Sequence, residues 1–131
     1  MQFYSTEDKS HKVSLKKAVI NGMPIAGGLY MPEAIPVMEK DFIDNLVGMD
    51  IREIGHKIAA KYIANIAESE LTDIIDSALN FDTPLVKIGD KIHCLETFHG
   101  PTLAFKDVGA RFMARLMSYL IRGEDRELNI I

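Results

Sequence analysis

Leu95-Glu96-Thr97-Phe98-His99-Gly100-Pro101-Thr102-Leu103-Ala104-Phe105-Lys106-Asp107-Val108-Gly109-Ala110-Arg111-Phe112 passes from a strand-like run, through a tight Gly-Pro turn, into an amphipathic helix. Apolar residues at Val108, Phe112, Leu116, Tyr119 and Leu120 keep helical spacing, and Arg122-Gly123 closes the run, so a helix is expected over about 106–121. Lys106 stands at the mouth of that helix, directly after Leu103-Ala104-Phe105. Burial among apolar groups penalises a charged amine, and a helix N-terminus disfavours a cation. The other lysines, such as Lys57, Lys61 and Lys87, lie in polar or amphipathic surroundings. Lys106 is therefore the candidate anchor for an aldehyde cofactor, because only a neutral amine condenses with an aldehyde. Phe105 is placed to shield that bond from water.

Working outward, Leu85-Val86-Lys87-Ile88 and Ile92-His93-Cys94-Leu95-Glu96-Thr97 read as short strands around a Gly89-Asp90 turn, a hairpin pattern. Upstream, the spacings of Phe42, Ile43, Leu46, Val47, then Ile51, Ile54, Ile58, Tyr62, then Leu71, Ile74, Ile75, Ala78, Leu79 are helical. Residues 41–80 thus form a small helical layer, its last helix opening on Glu68, Glu70 and Asp73, where the dipole favours acids. Between 23 and 36, Pro24, Pro32 and Pro36 with Gly27-Gly28 argue for an ordered loop without regular structure. Val13, Leu15, Ala18 and Val19 suggest a short helix stopping at Asn21-Gly22, and Met1 to Tyr4 a short strand or arm. Leu128-Asn129-Ile130-Ile131 looks like the start of a buried parallel strand, so the chain is expected to be the N-terminal part of a longer polypeptide.

The chain has 131 residues, a net charge of −4, 47% hydrophobic and 26% charged residues, the balance of a soluble globular domain. That mild acidity argues against a nucleic-acid footprint, and no apolar run approaches membrane-spanning length. The N-terminus lacks the basic start and apolar core of a signal peptide. A single cysteine, Cys94, fits a reducing cytoplasm and reads as a small buried hydrophobe. His11, His56 and His93 have no metal-ligand spacing, so no metal is expected.

The run His99-Gly100-Pro101-Thr102-Leu103-Ala104-Phe105-Lys106-Asp107 resembles the pyridoxal phosphate (PLP) lysine signature of threonine synthases. Val13-Ser14-Leu15 with Ala18-Val19, and Gly27-Gly28-Leu29-Tyr30-Met31-Pro32, resemble that family too. The resemblance implies an α/β chain: a helical layer, a short β-hairpin and the PLP-lysine helix of a fold type II PLP enzyme, related to the tryptophan synthase β subunit. It implies a mostly helical N-terminal domain over 1–82 and the start of the PLP-binding α/β domain over 83–131. It puts the cofactor on Lys106 with Phe105 beside it, O-phospho-L-homoserine as the small-molecule substrate, and L-threonine and phosphate as products. Lys106, displaced by the substrate amine, would then act as acid and base. A glycine-rich loop for the cofactor phosphate is expected after Ile131, so this stretch alone should bind PLP poorly and not turn over.

Further expectations concern the neighbours of Lys106. His99 holds the turn or touches substrate, and Thr102 caps the helix or touches substrate. Glu96 and Asp107 pair with arginines, Asp107 with Arg111 one turn on, or orient a site. Two rival functions stay open: a related PLP-dependent phospho-lyase acting on another phosphorylated hydroxy-amino acid, and a non-catalytic interaction module built on the helical layer.

Overall fold

Ser14 decides where the first helix begins. Its side chain accepts a hydrogen bond from the Lys17 amide at 3.3 Å, which caps helix α1 (Leu15–Asn21). Val13, expected in that helix, lies instead in a strand, because the cap falls after it. The computed structural model describes residues 1–125 and 127–129. Strands β1 (Gln2–Ser5), β2 (Lys12–Ser14) and β3 (Tyr30–Pro32) form a small antiparallel sheet in the order β2-β1-β3. The presence of β3 corrects the expectation of an irregular loop over 23–36. Pro32 is tolerated because β3 is an edge strand, where a missing N–H leaves no inner ladder bond unmade. Gly28 lets this segment close on β1: at φ +78° a Cβ there would stand 2.5 Å from Thr6 Oγ1. The Thr6 amide donates to Leu29 O and the Leu29 amide to Thr6 Oγ1, both at 3.0 Å.

Helices α2 (Lys40–Asp44), α3 (Ile51–Tyr62) and α4 (Glu68–Ala78) supply the expected helical layer, although α2 ends before Leu46 and Val47. A capping box starts α3: Asp50 accepts from the Glu53 amide and Glu53 from the Asp50 amide, each at 2.9 Å. The Glu53 amide, with Arg52 behind it, holds the Asp50 carboxyl below its ordinary value. Helix α4 is the centre of the molecule. Leu71, Ile74, Ile75 and Ala78 are buried on it, joined by Ile63, Leu79 and Leu116. The apolar stripe of α4 is thus consumed by the core, whereas Ile43 on α2, Val47 after it and Ile58 on α3 stay exposed. Gly55 on α3 lets that helix approach closely, since a Cβ there would stand 3.0 Å from Leu79 Cδ1.

The hairpin is as expected. Strands β4 (Leu85–Lys87) and β5 (His93–Leu95) pair antiparallel, Val86 opposite Cys94, with the turn closed by Ile88 N to Ile92 O. Cys94 is half-buried rather than buried. Helix α5 (Lys106–Leu120) follows, with Leu116 buried and Val108, Phe112, Tyr119 and Leu120 packed on the core. The chain is α/β with small sheets and helices. The strand expected from Leu128 onward runs into residues 130 and 131, outside the described residues. Among the described residues no helix is long and apolar enough to cross a membrane.

Candidate functional site

The segment from 96 to 107 is shaped by one buried carboxylate. Asp107 is 5% exposed, and its oxygens accept from the Thr102 amide and from the Thr102 hydroxyl, both at 2.8 Å. Gly100 is buried against it: a Cβ there would overlap Asp107 Oδ2 and stand 2.7 Å from Asp107 Cβ. Between them the chain makes two consecutive turns, Leu103 N to Gly100 O and Asp107 N to Ala104 O, each at 3.0 Å. Leu103 pays a conformational cost in this path. Its φ is +56°, a left-handed value that costs a branched residue about 1–2 kcal/mol. The charged hydrogen bonds at Thr102 are each worth about 1.5–3 kcal/mol, enough to offset that strain.

Several expectations are corrected here. Thr102 does not cap α5; it donates to Asp107, and Phe105 holds the N-cap position with no side-chain bond. Asp107 does not pair with Arg111, because its oxygens face back toward Thr102. Arg111 reaches the other way. Its Nε donates to Ala78 O at 2.9 Å, and its Nη2 donates to Ser77 O at 2.8 Å and Asn80 Oδ1 at 2.7 Å. It thereby satisfies carbonyls left open at the end of α4, where the dipole favours a cation. Among the described residues Glu96 pairs with no arginine; its Oε2 lies 2.7 Å from His99 Nε2, and the Phe98 ring leans on the imidazole at 4.8 Å. So His99 holds the turn through a side chain and not through the backbone.

Lys106 is the first residue of α5, as expected. The expected apolar burial is absent. Lys106 is exposed, Phe105 is 68% and Leu103 76% exposed, so on the outer side of the α5 start no apolar cover lies over the amine. That side forms a groove of about 550 Å³ lined by Thr97, Phe105, Lys106, Val108, Gly109 and Met113, among others. The size suits a small-molecule site, roughly 300–1,000 Å³. Nothing stands within 4 Å of a Cβ placed on Gly109, so a flat group could approach the first turn. A primary amine on the lip of an apolar groove fits the ring and aldehyde of PLP. Besides Lys106 the lining carries only the Thr97 hydroxyl as a polar side chain, so these residues fit the ring and aldehyde and leave the phosphate to other residues. Among the described residues no cluster of His, Cys, Asp or Glu could hold a metal ion.

The family of the threonine synthase N terminus matches residues 2–79. The chain belongs to the threonine synthase family. It is 40% identical to the threonine synthase of Buchnera aphidicola from Baizongia pistaciae, over all of this chain and 31% of that one. It is also similar to two solved structures, each with a TM-score of 0.86. One is threonine synthase from Escherichia coli, 34% identical over 92% of this chain and 28% of that one. The other is PLP-bound threonine synthase from Brucella melitensis, 30% identical over 92% and 27%. The chain thus spans less than a third of the length of these threonine synthases. The family match takes in the β1–β3 sheet and the helical layer, and the Buchnera likeness runs through position 106 as well.

Two features of the site escaped the sequence. Gly100 beside a later buried acid gives a local signal, since glycine is the residue that permits such an approach. Arg111 gives none, because its partners lie over thirty residues away.

Proposed function

We propose that this chain is the N-terminal part of a PLP-dependent threonine synthase, a carbon–oxygen lyase that converts O-phospho-L-homoserine and water to L-threonine and phosphate, the final step of threonine biosynthesis. The observation that carries the proposal is the position of Lys106, first in α5 and on the lip of an apolar groove. Membership of the family and the PLP-bound relative support it. When bound, the cofactor supplies an electron sink for carbanion chemistry. The chain's own part is to present the amine of Lys106, which holds the cofactor and then takes and returns protons beside it. Phe105 and Met113 wall the groove beside the amine, which a cover over the groove would shield from water. Residues 1–82 serve as the N-terminal domain and 83–131 as the opening of the PLP-binding domain, in a fold type II architecture working in the cytoplasm.

The test is made on the complete enzyme. Borohydride reduction followed by mass spectrometry should place a pyridoxyl group on the peptide carrying Lys106. Lys106→Ala should lose the coloured cofactor band and phosphate release from O-phospho-L-homoserine. A pyridoxyl group on another lysine would overturn the proposal. Release of phosphate from a different phosphorylated hydroxy-amino acid, and not from this one, would replace the substrate. The groove lining leaves the phosphate to other residues, which makes that control necessary.

A further inference from the structure

We infer that Asp107 is a positioning residue for Lys106: its carboxylate clamps the 100–105 turn and so sets where the neighbouring amine emerges. The inference rests on Lys106 being the cofactor lysine, as proposed above, and gives the adjacent acid a task that the expected ion pair does not. Asp107 is nearly inaccessible, yet among the described residues no basic side chain pairs with it. Both its oxygens are instead used on one residue, Thr102, through the amide and the hydroxyl. Its methylene and carboxyl fill the space that Gly100 leaves by lacking a Cβ. Three points of the turn are thereby tied to the first turn of α5. The loop between them includes the left-handed Leu103, a conformation that persists only where its surroundings over-determine it. Lys106 is covalently next to the clamp and opens α5, so the clamp sits directly at its backbone. Without the clamp, the turn would relax, and the start of α5 would fray with the lysine on it.

The same geometry separates variants by chemistry and not by size alone. Asp107→Ala removes both acceptors. Asp107→Asn keeps them in altered form: the amide oxygen can accept from the Thr102 N–H, and the amide nitrogen can donate to the Thr102 hydroxyl oxygen, which rotates to receive it. Gly100→Ala leaves Asp107 in place but drives a methyl group into its carboxylate. Two unrelated changes should therefore give one defect, and the isostere should repair it.

The experiment uses the complete enzyme in apo and PLP-loaded forms, well below its unfolding temperature. In the apoenzyme, hydrogen exchange at the Thr102 amide reads the clamp directly, independent of cofactor. In the loaded form, the rate of borohydride-trappable attachment to Lys106 reads the position of the amine. Asp107→Ala and Gly100→Ala should expose the Thr102 amide and slow attachment by at least about tenfold, a misplacement of less than an ångström. Asp107→Asn should stay within about threefold of the parent, as its bonding capacity allows. Loss of Thr102 protection with an unchanged attachment rate would overturn the inference while leaving Lys106 as anchor. So would a Thr102 amide already unprotected in the parent. Trapping on a different lysine would instead overturn the functional proposal. If Asp107→Ala does not fold, Gly100→Ala and the isostere carry the comparison, and equal rates in those two would also overturn it.

Discussion

Replacing Arg111 by alanine removes three hydrogen bonds from one charged group at the end of α4. They run to Ala78 O at 2.9 Å, Ser77 O at 2.8 Å and Asn80 Oδ1 at 2.7 Å. A bond from a charged donor contributes about 1.5–3 kcal/mol when its partner is left buried and unmet. Ser77 and Asn80 are reachable by water after the change, so most of the loss falls on Ala78 O, which sits in the core. The guanidinium also lies 5.9 Å from the Phe81 ring centroid, a contact worth about 0.5–1 kcal/mol at an accessible site. The expected total is about 2–4 kcal/mol. Hydrogen exchange of the Leu79 amide, which donates to Ile75 O at 2.8 Å, reads this loss at the place it occurs. Protection should fall by roughly 30- to 700-fold, at 1.4 kcal/mol per factor of ten. Arg111→Lys should recover less than half of it, because an ammonium cannot fork between carbonyls on one helix end. A change under about 0.5 kcal/mol, the range of an ordinary surface substitution, would refute the assignment of Arg111 as the cap of α4. Full recovery by lysine would refute the geometric part of the reasoning.

Gly28→Ala should cost about 1–3 kcal/mol through its left-handed φ, and more through the methyl contact with Thr6; exchange at the Thr6 and Leu29 amides should rise together while the α4 amides stay protected. Glu70 ties α4 to the loop after α5, accepting from Arg122 Nη1 at 2.8 Å and Nη2 at 3.0 Å. The Arg122 hydrogen bonds hold the Glu70 carboxyl below its ordinary 4.5, so its contribution is fully present above pH 4.5 and is lost as pH falls through the lowered folded value. The thermal midpoint should therefore begin to fall below about pH 4.5, less steeply in Glu70→Gln, and high salt should narrow the difference because both partners face solvent. An equal slope in both proteins at low salt would remove the linkage.

What could be read in the chain depended on how local its cause was. Helix α5 was legible because Val108, Phe112, Leu116 and Tyr119 declare their own period, and β4–β5 because Gly89-Asp90 sits between the two halves of the pair. The β1–β3 pairing was not legible. Tyr30-Met31-Pro32 is short, ends in proline and meets residues 3–5 only after the chain has passed through α1. A proline at an edge and a proline in a loop look alike until the partner strand is known. The same limit hid the α4 cap: Asp107 four residues before Arg111 suggests a helix-surface pair, but the pull of the open α4 carbonyls lies far away in sequence. Asp107 was mistaken for a surface acid for a related reason, since its partner lies on the turn before the helix and not along it.

The exposure of Lys106 has a cause in the spacing itself. Successive residues of an α-helix are rotated by roughly 100°, so Lys106, two before Val108, lies about 200° from it, nearly opposite. Val108, Phe112 and Tyr119, roughly 120–160° from Lys106 around the helix, turn α5 toward α4 and carry Lys106 off the core side. Gly109, Ala110 and Met113, at three, four and seven residues beyond the lysine, share its face. Leu103-Ala104-Phe105 therefore could not bury the amine in this core, whatever their hydrophobicity. Desolvating it calls for matter on the groove side of α5, and a bound cofactor ring is one such cover. A polar substitution on that face, such as Met113→Gln, should then leave the α4–α5 core intact and act on cofactor binding. Leu116→Ala should do the reverse, removing about 2–5 kcal/mol from the fold and shifting the lysine only through the tilt of its helix. Comparing unfolding midpoints and PLP affinity across these two variants tests the division of the helix into a fixing side and a working side. Equal effects on both quantities in both variants would show that α5 has no such division.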